Sequence, residues 1–293
     1  MGCAAFARRA AIRLRWRHAP PVTVSVTWFH SLSSPTLAII VALVTIAVAV
    51  GGLVLSAARV RRTGLHEQLD NSAIAGLLAA LIGVYAVAAG LTAVAVWGNT
   101  VDAADNVGHE AAAITVLFHD LSGYPQPLRD KARGALVDYT RYVIDEEWPL
   151  HQRGQVPGSL LTTISDVQRE LFAFEPATEG QKILHARALD AYNKVLETRR
   201  LRLQAAGDTA LPGALWVTVI LLGVIAISSC FLLRLDSLAL HTMITVLVAS
   251  PIALVVYFIA VTDRPFQGGV NVSAEPYRVV LEQVMLPEMR RAR

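Results

Sequence analysis

The chain has 293 residues, 54% hydrophobic and 17% charged, with a mean hydropathy of +0.47 and a formal net charge of +3. Soluble domains carry about 25% charged residues, so this composition excludes an ordinary cytosolic enzyme, a disordered chain and a fibrous repeat. Nor does the basic balance point to nucleic acid: residues 1–35 hold five Arg and no acid, whereas residues 99–210 hold twelve Lys/Arg against sixteen Asp/Glu. The basic excess is juxtamembrane, where it orients a membrane protein.

Residues 1–35 form a basic extension. Arg8, Arg9, Arg13, Arg15, Trp16 and Arg17 read either as a poorly ordered segment or as one lying on anionic lipid. Phe6 stands where a myristoylation signal wants Ser or Thr. The two cysteines, Cys3 and Cys230, are placed in unlike surroundings and predict neither a disulfide framework nor a zinc site.

Four uncharged blocks follow, each of the length that crosses a bilayer core of about 30 Å. They predict spans over 36–57, 72–98, 211–233 and 238–261, all helical because lipid cannot satisfy backbone polar groups. Pro35 and Pro212 stand near helix starts, Trp97 and Trp216 at interfaces, and Asn71-Ser72 is the expected cap of the second span. Between spans two and three, residues 99–210 read as a helical extramembrane domain. The second span runs on without a breaker to Leu121. Helices are expected over 127–147, 159–174 and 178–204 from their apolar spacing and Gly/Pro punctuation. Trp148-Pro149 is expected to end the first of these, since proline drives the residue before it toward extended geometry. Residues 262–293 are left as a tail. The fold class is therefore an all-α membrane protein with four transmembrane helices, two on each side of an inserted helical domain.

Several residue groups carry candidate chemistry. Gly76, Gly83 and Gly90, with Ala79, Ala86 and Ala93, recur at sevens and make a small-residue seam. That seam either packs against another span or lines a pore in an oligomer. Asp102, Asp105 and His109, with Glu110 adjacent, are spaced to share one helical face beyond the membrane. They form a solvated face, a divalent-metal site, or an acidic mouth that selects cations in a symmetric oligomer. Glu147, Trp148 and Pro149 read as structural. Asp263, Arg264, Pro265, Phe266 and Gly268, directly after span four, read as a gate or a packing lock, with Arg264 expected to pair with Asp102 or Asp105 and Phe266 to act as a plug. His241 is the one ionisable span residue besides Cys230. No metal site is assigned and no cofactor is expected. With no P-loop, GxGxxG, HExxH or GxSxG, the chain is not read as an enzyme. With no buried Asp, Glu, Lys or Arg in any span, a proton-coupled pump is disfavoured.

The stretch from Asp70 to Trp148 resembles the bestrophin-like membrane family, found largely in bacteria and long catalogued as a domain of unknown function. The matching pieces are Asn71, Gly83 to Val87, Val96-Trp97, Glu110-Ala111, Tyr139 to Val143 and Glu147-Trp148-Pro149. Later come Arg199 to Leu203, Leu211-Pro212, Leu215-Trp216, Asp263 to Gly268 and Val272-Ser273. The resemblance covers about residues 37–285. Its name comes from the bestrophins, pentameric anion channels gated by calcium. It therefore implies a homo-oligomer in a lipid bilayer and an inorganic ion as the conducted species. The aromatic-rich neck and acidic calcium clasp of those channels have no counterpart in this sequence. The rival reading is a non-conducting scaffold or signalling protein whose helical domain binds a partner. The expected location is the inner or plasma membrane, multi-pass, with the helical domain and both termini cytoplasmic on account of the N-terminal arginines and of Lys194, Arg199, Arg200 and Arg202 before span three.

Overall fold

A computed structural model describes residues 34–63, 70–157, 162–207, 209, 211–268 and 271–291. Cys3 and the arginine run of the extension lie outside the described residues. The described chain is helical throughout, without a strand: α1 (Ser34–Thr63), α2 (Asn71–Leu121), α3 (Leu128–Tyr142), a π-helical turn (Val143–Glu147), α4 (Trp148–Gln152), α5 (Thr162–Phe172), α6 (Glu179–Gly207), α7 (Gly213–Cys230), α8 (Leu238–Thr262), α9 (Glu275–Val279), a second π-helical turn (Val280–Met285) and α10 (Leu286–Arg291).

The protein is an all-α membrane protein with four transmembrane helices. α1, α7, α8 and the N-terminal half of α2 are long and apolar enough to cross a membrane. Their shared core is mostly small and aliphatic, built from Ala49, Ala89, Val219, Ala226 and Ile252 around the ring of Tyr85. Gly223 lets Ile252 and the Tyr85 ring approach within 3.2 and 3.4 Å of where a Cβ would stand, so three spans meet there.

The span ends are fastened by polar side chains. Asp70, rather than Asn71, caps α2 by accepting the Ser72 amide at 3.0 Å. Asn71 is thereby free to bridge to the α7–α8 turn: its Nδ2 donates to the Arg234 carbonyl and its Oδ1 accepts the Arg234 amide, both at 2.8 Å. His241 is buried, with Nε2 at 2.9 Å from the Cys230 carbonyl at the end of α7. That carbonyl, at a helix C-terminus, also accepts the Leu233 amide at 3.2 Å, so this span histidine adds a second partner to a helix end. At the opposite boundary Thr100 donates to the Thr262 carbonyl at 3.2 Å.

α2 is unbroken over 51 residues, about 76 Å at 1.5 Å per residue, and so carries its span straight into the extramembrane domain. There it packs against α6, with α3, α5 and the C-terminal segment completing the core. The segment after span four is no peripheral tail. Phe266, Tyr277 and Met285 from it are all buried in that core.

Trp148-Pro149 does not end its helix. Trp148 keeps right-handed helical geometry (φ −61°, ψ −46°) and the chain stays helical to Gln152. The π-turn just before it is the physical reason. A proline inside a helix lacks the N–H and crowds the carbonyl four residues back, and a locally widened turn relieves both. The same device recurs in the second π-turn, directly before Leu286-Pro287.

Candidate functional site

The polar centre of the extramembrane domain is a fully enclosed cluster. α2 contributes Glu110, α3 Tyr139, the π-turn Glu147, α4 His151, and α6 Arg199 and Arg202, all buried. Arg202 donates from Nε to Glu110 Oε2 at 2.8 Å, from Nη2 to Glu110 Oε1 at 3.3 Å and to Glu147 Oε2 at 2.8 Å. Arg199 Nη2 donates to the second Glu147 oxygen at 2.5 Å, and Tyr139 donates to Glu110 Oε1 at 2.7 Å. Two carboxylates thus balance two guanidiniums, the condition under which buried charge is tolerated.

The electrostatics follow from that pairing. Burial opposes ionisation of Glu147, but Arg202 and Arg199 and their hydrogen bonds hold it below the ordinary carboxylate value. Burial likewise opposes the Arg202 charge, yet Glu110, Tyr277 and Tyr139 around it keep its pKa well above the ordinary value. His151 behaves oppositely: burial and then the Arg202 charge lower it to about 4, against the raising effect of its bond to the Gln155 carbonyl. His151 is therefore neutral. Its Nε2 lies 2.6 Å from Arg202 Nη1 and must accept, which leaves the proton on Nδ1 for the Gln155 carbonyl at 3.3 Å.

An aromatic cluster seals this centre. Trp148 meets Phe266 at 5.5 Å and Tyr277 at 5.7 Å between ring centroids, both edge-on, and His151 lies 5.6 Å from Phe266. The Glu-Trp-Pro and Asp-Arg-Pro-Phe pieces, more than a hundred residues apart in sequence, thus close on one another. Phe266 is buried here as a packing residue. Gly268 forms a turn with φ +77°. Arg264 pairs with neither Asp102 nor Asp105; its Nη1 donates to Gln267 Oε1 at 3.2 Å. Asp263 ties span four to the start of span three, accepting the Leu211 amide at 2.8 Å and the Trp216 indole at 3.2 Å. Burial raises the Asp263 pKa despite those two bonds.

The expected acidic mouth loses one member. Glu110 faces the core and is spent on Arg202 and Tyr139, because it falls on the apolar stripe of Ala103, Val107, Ile114 and Leu117. Asp102, Asp105 and His109 stay exposed. Among the described residues no group of three or more His, Cys, Asp or Glu is arranged to hold a metal ion.

Gly76, Gly83 and Gly90 are exposed, and a Cβ on any of them would meet nothing within 4 Å. They begin a longer feature. Gly83, Gly90, Val94, Val101, Asp105, Ala112 and Val116 step along α2 by sevens and fours, and every one is exposed. One face of the helix is thus unpartnered from inside the membrane to the far end of the domain.

Sequence reasoning missed Arg199, Arg202, His151 and Tyr277 as site residues. Two were detectable: Arg199 and Arg202 fall on the otherwise apolar stripe of α6 with Ala188, Tyr192, Val195 and Ala206. A charge at a core position needs a partner of opposite sign.

A family model for the bestrophin-like domain matches residues 43–277. The chain belongs to the bestrophin-like family. No curated protein matches it. Among solved structures, a bacterial bestrophin homologue from Klebsiella pneumoniae phased on zinc is 14% identical, with a TM-score of 0.59 over 86% of this chain and 98% of that one. A tyrosine-to-alanine variant of that homologue matches at 14% identity and a TM-score of 0.57 with the same coverage. A proline-to-alanine variant described only as a membrane protein reaches a TM-score of 0.64 at 14% identity. At this identity these likenesses establish the fold.

Proposed function

We propose that this bestrophin-like protein assembles as a homo-oligomer around α2 and conducts inorganic ions. The observation that carries this reading is the unpartnered face of α2. Within the bilayer, lipid can cover Gly83, Gly90 and Val94. Beyond Trp97 it cannot, yet the face continues with Val101, Ala112 and Val116 exposed. Copies arranged with this face toward a common axis would cover it. They would also bring Asp102, Asp105 and His109 of each copy to the pore mouth, and rings of carboxylates favour cations. Only 17% to 33% of each span's most apolar stretch is buried within one chain, so the membrane part has abundant surface for such an assembly.

The helical domain is assigned to the cytoplasm. The N-terminal arginines support this, while Arg199 and Arg202, which also count toward the positive-inside signal, have a separate structural use in the buried cluster. Cysteine accessibility at the exposed Arg153 against Thr63 in oriented membranes tests the assignment.

Reconstitution into planar bilayers tests the function. The expected result is an ion current that favours cations, with a reversal potential shifted toward anions by Asp102→Asn with Asp105→Asn. A protein that stays monomeric in mild detergent, or that passes neither cations nor anions, overturns the channel reading and leaves a membrane scaffold whose domain binds a partner.

A further inference from the structure

Between α2 and α8 runs a groove of about 530 Å3 lined by Ile82, Tyr85, Ala86, Ala93, Val255 and Phe258 among others. Its α2 wall begins fifteen residues and ends four residues before Trp97, so it lies roughly 6 to 22 Å inside the interface that this tryptophan marks. Its lining is almost wholly apolar. The polar side chain among its lining residues, Tyr85, already donates its hydroxyl to the Ile252 carbonyl at 3.4 Å.

A groove of this kind does not stay empty in a bilayer. Water needs two to four polar partners to occupy a cavity, and this lining offers almost none. Vacancy forfeits dispersion contacts along both walls. The occupant is therefore apolar, and its width can be read from the geometry. From Ile82 to Ala93 is about 17 Å at 1.5 Å per residue, so the volume corresponds to a mean cross-section of about 30 Å2. A helix 10 to 12 Å across needs about 80 to 110 Å2. The groove is too narrow to enclose a span of a second copy and wide enough to hold one polymethylene chain along its length. Small residues on the α2 wall open it: Ala86, Gly90 and Ala93 stand where larger side chains would fill it.

We infer that this groove is a binding site for a single acyl chain of a membrane lipid, held as a resident ligand between spans two and four. The site is independent of whether the protein conducts. The polar headgroup stays at the level of Trp97, which stacks on Phe258 at the groove's end with centroids 6.4 Å apart.

The test is native mass spectrometry of the full chain, purified in mild detergent and exchanged extensively to strip loosely held lipid. Retention of one phospholipid per chain is expected. Ala86→Phe, which fills the groove, is expected to lower that occupancy about tenfold, whereas Ala79→Phe, on the same helix but outside the groove, leaves it unchanged. If Ala86→Phe does not fold, Val255→Phe fills the groove from α8 and gives the same readout. Wild-type protein that retains no lipid, or filled variants that retain it fully, overturn the assignment. So does a filled variant that loses its neighbours instead of its lipid, which would make a second copy the occupant. Failure of the channel reading shows as absent current with lipid occupancy intact.

Discussion

Arg202 of α6 grips Glu110 of α2 with two nitrogens, Nε at 2.8 Å and Nη2 at 3.3 Å, across 92 residues of sequence. α2 is the continuation of span two, and α6 leads directly into span three. The pair therefore joins two membrane helices through the interior of the extramembrane domain, and Glu147 and His151 each accept one further hydrogen bond from the same guanidinium.

Removing one partner of such a cluster strands the others. Arg202→Met leaves Glu110 and Glu147 buried with one fewer cation, a change that costs about 3–5 kcal/mol in comparable buried pairs. Thermal unfolding in detergent should show it as a large drop in Tm. Restoring neutrality with Arg202→Met plus Glu110→Gln should recover part of the loss. An unchanged Tm for the single variant would mean that the cluster is dispensable.

Neutral His151 makes the fold acid-sensitive. Its pKa falls from 6.5 to about 4 on folding, so between those values the unfolded chain binds the proton that the folded one refuses. Stability contributed by this group is complete above pH 6.5 and declines as pH falls toward 4, by about 3 kcal/mol at 1.36 kcal/mol per unit. His151→Gln should flatten that part of the stability profile. A profile that declines identically in the variant assigns the acid sensitivity elsewhere.

Trp148 and Phe266 bind the two family motifs together. Each truncated to Ala should cost about 3–5 kcal/mol, as for other large buried aromatics. Because the rings touch, the double variant should fall short of additivity by about 0.5–1.5 kcal/mol. Strict additivity in a denaturation cycle would contradict the edge-on contact.

Gly154 and Gly268 share a left-handed backbone, with φ of +71° and +77°, but differ in surroundings. A Cβ at Gly154 would collide with the Gln267 amide, whereas one at Gly268 meets nothing within 4 Å. Gly268→Ala should therefore cost only the conformational penalty, about 1–2 kcal/mol. Gly154→Ala should cost clearly more and displace Gln267 from Arg264. Equal losses in the two variants would argue against the close approach.

Asp263 holds the Trp216 indole and the Leu211 amide at the membrane boundary. Asp263→Leu removes both acceptors and leaves the buried Leu211 amide unmet, at about 1–3 kcal/mol, and the half-buried Trp216 indole unmet at a smaller cost. Trp216 emission should shift as the ring loses its anchor. Asp263→Asn, which keeps an acceptor oxygen, should retain most of the stability.

Four uncharged blocks, each long enough to span hydrocarbon, left no alternative to four helices, and the breaker-free run from Trp97 to Leu121 already joined the second of them to the domain. These features were legible because lipid imposes length and polarity on every residue of a span independently of its neighbours. The family motifs were legible too, as fragments. What they do was not: Glu110 read as a surface acid beside His109, Trp148-Pro149 read as a helix end, and residues 262–293 read as a tail. Each of those outcomes depends on partners far away in the chain. Glu110 is buried because Arg202 arrives to neutralise it, the helix survives Pro149 because the turn before it widens, and the tail is core because Trp148 and Arg202 await Tyr277. Charge pairing and side-chain packing act between residues that only the tertiary fold brings together, so the sequence by itself determined the membrane architecture, and the structure alone decided which charges are interior and which face of α2 is left open.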